Sequence, residues 1–396
     1  MKMQELAEKG KNYLMNTYNF GSIVIEKGEG CYLYDVEGNK YLDFVSGIAV
    51  NSLGYSNKAF VEKMTSQLNK FNHCSNLYFN IPQVELAQTL VENSAFDRVF
   101  FCNSGAESVE AALKLAKKYG KKTHGEACFE IITMKNSFHG RTLGAVAVTG
   151  QTKYQKDLAP LLPGVVYGEY NNFESVNALV SEKTCAILVE PIQGEGGIKP
   201  AEKEFLQLLR TLCSEKKIIL IYDEVQCGCG RTGTLFCYEN YGIAPDVICL
   251  AKGLANGFPI GAMMATQKAA EAFSPGDHAS TFGGNPLAAT SASVVLDELL
   301  NKNLLENVKK QGEYLQKLLS GLKEEFPIIK DVRGIGLMLG VELTSSASEI
   351  VKKCLEKGLF LVGAGPDVVR FVPPLVVQRE DIDEAVKIFK NALGEL

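Results

Sequence analysis

From about residue 98 onward, short apolar runs alternate with stretches of helical periodicity. The runs are RVFFC (98–102), FEIITM (129–134), AVAVT (145–149), CAILVE (185–190), IILIY (218–222), VICLA (247–251) and IGAMMA (260–265). They are rich in β-branched residues and apolar on both faces, as strands covered by helices on each side should be. Between them lie amphipathic stretches. In AEKEFLQLLRTLCSEKK, Phe205, Leu208, Leu209 and Leu212 recur at i, i+3, i+4, i+7, which sets one apolar stripe against a sheet. The alternation predicts an α/β layer architecture with a mostly parallel sheet.

The C-terminal third carries a different pattern. A long helical periodicity from about Pro286 to Leu322 leads to GIGLMLGVEL, then to a helix ending at Gly358. LFLVG and VVRFVPPL follow, and a last helix starts near Glu380. This predicts a smaller α+β unit. The N-terminal stretch IVIEKGEGCYLYDVEGNKYLDF reads as paired short strands with turns at Gly28–Gly30 and Glu37–Asn39. It is expected to pack with the C-terminal unit. The expected division is a segment over 1–52, a large domain over 53–289 and a small domain over 290–396.

Composition narrows the class. A chain of 396 residues is long for one core, so two domains are expected. Lys and Arg total 41 against 46 Asp and Glu, a net charge of -5 that offers no general attraction to nucleic acid or an anionic membrane. The N-terminus has no apolar signal core, and no run is long enough to span a bilayer. The 11 cysteines are odd in number and mostly sit inside apolar runs, which suits small core hydrophobes in a reducing cytosol. Cys227 and Cys229 form a CxC, and none of the 4 histidines falls in a ligand pair, so no metal site is expected.

In open α/β sheets ligands bind at the carboxyl ends of the strands. After RVFFC comes NSGAESVEAALKLAKK: Ser104 and Glu107 have capping-box spacing, and Gly105 permits close backbone approach. The helix expected over about Glu107 to Lys118 would offer its free N–H groups to a phosphate. After FEIITM comes KNSFHGRT, where Phe138 could cover a ring and Arg141 clamp a carboxylate. Glu190 and Glu195 flank the glycine-rich loop PIQGEGG. Asp223 directly follows IILIY, and Lys252 follows VICLA. Neither a Walker A motif nor GxGxxG is present; GIGLMLG misses the latter by one residue and leads into strand pattern. A phosphate cradle, an aromatic lid, a carboxylate and an amine, each at a strand end, together suit one cofactor. Pyridoxal 5'-phosphate needs a lysine for its Schiff base, an acid for its pyridinium nitrogen, helix-end donors for its phosphate and a ring on its face.

At these residues the chain resembles the class III, ornithine-type, pyridoxal-phosphate aminotransferases of fold type I. The resemblance runs through FCNSGAESVEAALKLAKKYG, SFHGRTLGA, VEPIQGEGG, DEVQCGCGRTGTLFCYENYGIAPDVICLAKGLANGFPIGA, HASTFGGNPLA, VRGIGLMLGVEL and RFVPPLVV, nearly the whole chain. It implies a seven-stranded large domain and a homodimer. Lys252 would be the Schiff-base lysine, Asp223 the partner of the ring nitrogen, Gln226 a neighbour of the phenolic oxygen, and Phe138 the stacking ring. Ser104, Gly105 and Ala106 would bind the phosphate, with Thr281 reaching the cofactor of the partner subunit. Arg141 and Ser280 would hold an N-acetylornithine donor, and Arg370 the α-carboxylate of glutamate, with Glu195 covering Arg370 in its absence. The implied reaction moves the donor's distal amine to 2-oxoglutarate; ornithine, succinylornithine or 4-aminobutyrate are the alternative donors. Tyr55, Phe79, Ala106 and Asn256 depart from the residues usual in the family, and none of them touches Lys252, Asp223 or Arg141 in sequence.

Overall fold

The computed structural model describes residues 3–395. Its centre is a sheet of seven strands: β1 (Arg98–Cys102), β2 (Glu130–Met134), β3 (Val165–Gly168), β4 (Thr184–Val189), β5 (Ile219–Asp223), β6 (Val247–Leu250) and β7 (Gly261–Ala265). Their order across the sheet is β1-β7-β6-β5-β4-β2-β3. Neighbours from β6 to β3 run parallel, and β7 alone is antiparallel, to both β6 and β1. Every residue of β4, β5, β6 and β7 is buried. Alternate residues of β5 enter different cores: Ile219 and Ile221 one, Leu220 and Tyr222 the other. A sheet covered on both faces removes the polar face, which is why these strands read as unbroken apolar runs.

Three of the expected elements differ. AVAVT is not a strand; residues 145–148 belong to a helix over Leu143–Val148. Glu110 Oε1 accepts the N–H groups of Gly144 (3.0 Å) and Ala145 (3.1 Å), satisfying donors that a helix start leaves free. Side chains small enough to pack beneath the neighbouring helix override the β-branched propensity of the valines. The seventh strand is instead VVYG, β3, at the sheet edge; three of its four residues are only partly buried, so it lacks a long apolar signature. The helix after β1 also begins earlier and runs further than expected, over Gly105–His124, and stops at Gly125 with φ +97°.

The periodicity from Pro286 to Leu322 is two helices, Pro286–Asn301 and Leu304–Glu325, broken where Asn303 takes left-handed φ +57°. The first crosses residue 289 without interruption. Beyond them, Ile329–Ile335, Met338–Leu343, Val368–Phe371 and Val362–Gly363 form a four-stranded antiparallel sheet. The N-terminal strands Ile25–Glu29, Tyr32–Asp35 and Lys40–Asp43 pair antiparallel, and Leu359–Phe360 joins them in parallel. The first fifty residues thus share a sheet with the last fifty. All eleven cysteines are free, ten of them buried. Among the described residues no helix is long and apolar enough to cross a membrane, and no cluster could hold a metal ion.

Candidate active site

At the carboxyl ends of these strands lies a cavity of about 310 Å³. Ser104, Gly105, Ala106, Phe138, Glu195, Asp223, Gln226 and Lys252 all line it, from loops spread over 150 residues of chain. Parallel strands bring the loops that follow them to one edge, so the convergence follows from topology.

Lys252 opens a short 3₁₀ turn, Lys252–Ala255, two residues beyond the end of β6, with φ +41°. Its amine makes no hydrogen bond or ion pair to a described residue. Burial holds the ammonium below the ordinary lysine range; Glu195 pulls it back up and Arg370 pushes it down. Asp223 ends β5, 5 % exposed. Its Oδ1 accepts the Val225 N–H at 2.9 Å, and its Oδ2 lies 2.7 Å from His139 Nδ1. The His139 ring is fully buried, and its Nε2 lies 3.3 Å from Thr133 Oγ1. The imidazole therefore orients the carboxylate, leaving its outer side toward the cavity.

Ser104 caps the Gly105–His124 helix through Glu107 N–H, at 3.2 Å, while Glu107 reaches back to the Asn103 N–H. The N–H groups of Gly105 and Ala106 are left unbonded beside the cavity, at the positive end of a 20-residue helix dipole. A Cβ on Gly105 would stand 2.7 Å from Val225 Cγ1, so this close approach needs glycine. Phe138 lines the cavity and meets Tyr154 edge-on at 5.4 Å, while its N–H donates to Glu190 Oε1 at 2.9 Å. Burial pushes Glu190 up to about 7, against the pull of His139.

Arg370, on the strand Val368–Phe371, is 1 % exposed. It donates from Nη1 to Glu195 Oε1 at 2.5 Å and to Gln226 Oε1 at 2.9 Å, and from Nη2 to Gly363 O at 3.3 Å. Its buried Nε has no partner. Burial raises the Glu195 carboxyl, but Arg370 more than offsets this, and the group sits below its usual range.

Four of the expected substrate and cofactor residues lie outside the cavity lining: Arg370, which reaches it through Glu195 and Gln226, and Arg141, Ser280 and Thr281. Arg141 is exposed, its guanidinium 4.1 Å from the Tyr154 ring centre. Ser280 Oγ accepts from Asn103 Nδ2 at 3.2 Å and from Gly283 N–H at 3.0 Å, beside the helix start. Thr281 is exposed on the next position, free to reach another molecule. The sequence alone assigns no role to His139 or Glu190; in the fold His139 meets Asp223, and Glu190 accepts the Phe138 N–H. A histidine two places before Arg141 in the post-strand turn was the available signal.

Such a cavity contains a helix-end anion cradle, an aromatic face, a buried oriented carboxylate and a desolvated amine. That set fits a phosphorylated aromatic aldehyde with a basic ring nitrogen, and defines a transaminase-type site on a doubly covered α/β sheet. The class III aminotransferase family model matches residues 14–393, and the chain belongs to that family. It is 51 % identical over 384 residues to the acetylornithine aminotransferase of Clostridium acetobutylicum, covering 97 % of this chain and 99 % of that protein. The acetylornithine aminotransferase of Methanocaldococcus jannaschii is 45 % identical over 399 residues, 100 % of this chain and 98 % of that protein. Among solved structures, the ornithine aminotransferase of Toxoplasma gondii superposes with TM-score 0.95 at 30 % identity, covering 100 % of this chain and 96 % of that one. N-acetylornithine aminotransferase from Stenotrophomonas maltophilia gives 0.85 at 36 % identity, with 98 % of each chain covered.

Proposed function

We propose that this enzyme moves the distal amine of N-acetylornithine to 2-oxoglutarate, giving N-acetylglutamate 5-semialdehyde and glutamate, a step of arginine biosynthesis. Pyridoxal 5'-phosphate, when bound, supplies an aldehyde for the amine and a ring that accepts the electron pair released at the donor carbon. Lys252 Nζ would hold the cofactor and would carry the proton to and from the donor carbon. Asp223, oriented by His139, would face the ring nitrogen. Ser104, Gly105 and Ala106 would anchor the phosphate, Phe138 would cover the ring, and Gln226 would stand by the phenolic oxygen.

The observation that carries the two-substrate reading is Arg370. A buried guanidinium is costly unless paired, and here one carboxylate on a glycine-flanked loop pairs it through a single nitrogen while Nε stays open. A carboxylate substrate displacing Glu195 gains a two-point contact with Nε and an Nη. Glutamate and 2-oxoglutarate would be read this way, with Arg141 taking the side-chain carboxylate; with acetylornithine, Glu195 stays and Arg141 takes the α-carboxylate, aided by Ser280. Full-length identity of 45–51 % to acetylornithine enzymes supports the acetylated donor over ornithine. Steady-state rates with acetylornithine, ornithine, succinylornithine and 4-aminobutyrate against 2-oxoglutarate test it. We expect kcat/KM to be highest for acetylornithine; a higher value for ornithine overturns the substrate.

A homodimer completes the proposal. Leu77, Tyr78, Phe79 and Ile81 are 69–94 % exposed in the single chain, and Phe282 beside Thr281 is 61 % exposed. Contiguous apolar surface of this kind marks an interface, and Thr281 at its rim would contact the phosphate held by the other copy. Light scattering is expected to return twice the chain mass of 43.2 kDa; a stable, fully active monomer refutes it.

A further inference from the structure

Glu195 sits at the tip of a two-stranded ribbon. Ile192–Gln193 pairs with Lys199–Pro200, leaving Gly194–Ile198 as the loop. The base is tied down on one side: Gly194 N–H donates to Glu190 Oε2 at 3.0 Å, and Gln193 Nε2 to Lys135 O at 2.8 Å. The other side is gripped by the small sheet. Arg333 donates from Nη2 and Nε to the carbonyl of Gly197, at 2.7 and 3.0 Å. Ile198 is fully buried at φ +49°, a backbone state that a β-branched residue adopts only under constraint. A Cβ placed on Gly340 would fall 2.9 Å from Ile198 Cβ, so Ile198 is seated over the space that this glycine leaves.

These contacts lie in one row. Arg333 is the register partner of Gly340, and Gly340 is the register partner of Arg370. Directly opposed residues of an antiparallel sheet point to the same face. One face of three adjacent strands therefore meets the same ribbon tip three times: Arg370 at the Glu195 side chain, Gly340 at Ile198, Arg333 at Gly197. Arg333 is also neutralised, by Asp331 at 3.0 Å and by Glu342. It thus grips the loop without competing with Arg370 for the Glu195 carboxylate.

We infer that Arg333 is a positioning residue for donor choice: by clamping the Glu195 ribbon to the strand row that carries Arg370, it confines the exchange of partners to the Glu195 side chain. The inference rests on the reading above, in which Glu195 covers Arg370 for acetylornithine and uncovers it for glutamate. Glycines on both sides of Glu195 give its backbone little stiffness. Without the clamp the tip drifts, Arg370 stays open, and acetylornithine can bind by its carboxylate in the wrong pocket. Glutamate, which needs Arg370 open, loses little.

The test follows the two half-reactions separately, as single-turnover changes in cofactor absorbance of the loaded enzyme with acetylornithine or glutamate. For Arg333→Ala we expect the acetylornithine kcat/KM to fall about tenfold while that of glutamate changes by less than about threefold. Gly340→Ala, which pushes Ile198 without altering any charge, is expected to shift the ratio in the same direction, and it stands as the test should Arg333→Ala fail to fold. Parallel loss in both half-reactions, or no change in their ratio, overturns the clamp. Glu195→Gln is measured alongside. If it shifts the ratio and the clamp variants do not, the clamp alone is wrong; if it leaves the ratio unchanged, the covering role of Glu195 falls, and the clamp with it.

Discussion

Replacing Lys252 with alanine is expected to lower turnover by about 10⁴-fold or more, because under the proposed function one side chain would supply both the covalent attachment and the proton carrier. The geometry makes substitution from elsewhere in the site implausible. Lys252 is the sole amine among the cavity-lining residues, and it stands without a bond to any described residue. Burial lowers its pKa, so a larger fraction is neutral and nucleophilic near pH 7 than for a solvent-exposed lysine. Steady-state assays on the purified variant give the rate. Borohydride reduction of the wild type, followed by peptide mass spectrometry, is expected to place the cofactor adduct on Lys252 and to find none in the variant. Retention of more than about a tenth of wild-type activity would exceed what a positioning defect allows and would remove Lys252 from the nucleophile's role.

Asp223→Asn is expected to cost about 10²–10³-fold in kcat, since breaking a buried charge pair costs about 3–5 kcal/mol. The substitution keeps the shape and the acceptor for Val225 N–H, and removes only the charge and the acceptor that faces His139. Whatever cation the carboxylate faces is then left unpaired in a low-dielectric cavity. His139→Gln should have a smaller effect, about tenfold, because it acts through the orientation of Asp223 rather than on the cofactor. Titration of the apo-enzyme with pyridoxal 5'-phosphate separates affinity from rate. An Asp223→Asn enzyme with near-normal kcat and cofactor affinity would show that the ring nitrogen is paired elsewhere.

Most of the residues that converge on the cavity were legible because local rules place them. Asp223 and Lys252 each follow a short apolar run, and Ser104 precedes an amphipathic stretch with a cap-compatible glutamate. In a parallel sheet those positions share one edge whatever the details of packing. Local signals failed where neighbours outweighed propensity. AVAVT has the composition of a strand, yet Glu110 satisfies a helix start there and the small side chains pack as a helix. VVYG lies at the sheet edge, too short and too exposed to be marked by hydrophobicity. One helical pattern became two helices because a single Asn adopted left-handed φ.

What the amino-acid order determined by itself was the layered α/β architecture, the strand ends that carry the amine and the acid, and the Ser104-capped helix start. Each depends on residues within about a dozen positions of one another, whose pattern of burial and capping is written locally. Tertiary structure alone decided that His139 orients Asp223, that Arg370 meets Glu195 from 175 positions away, and that Arg333, Gly340 and Arg370 stand side by side against one ribbon. Those contacts depend on strand register and on how two sheets approach each other, which follow from the packing of the whole core rather than from any window of sequence.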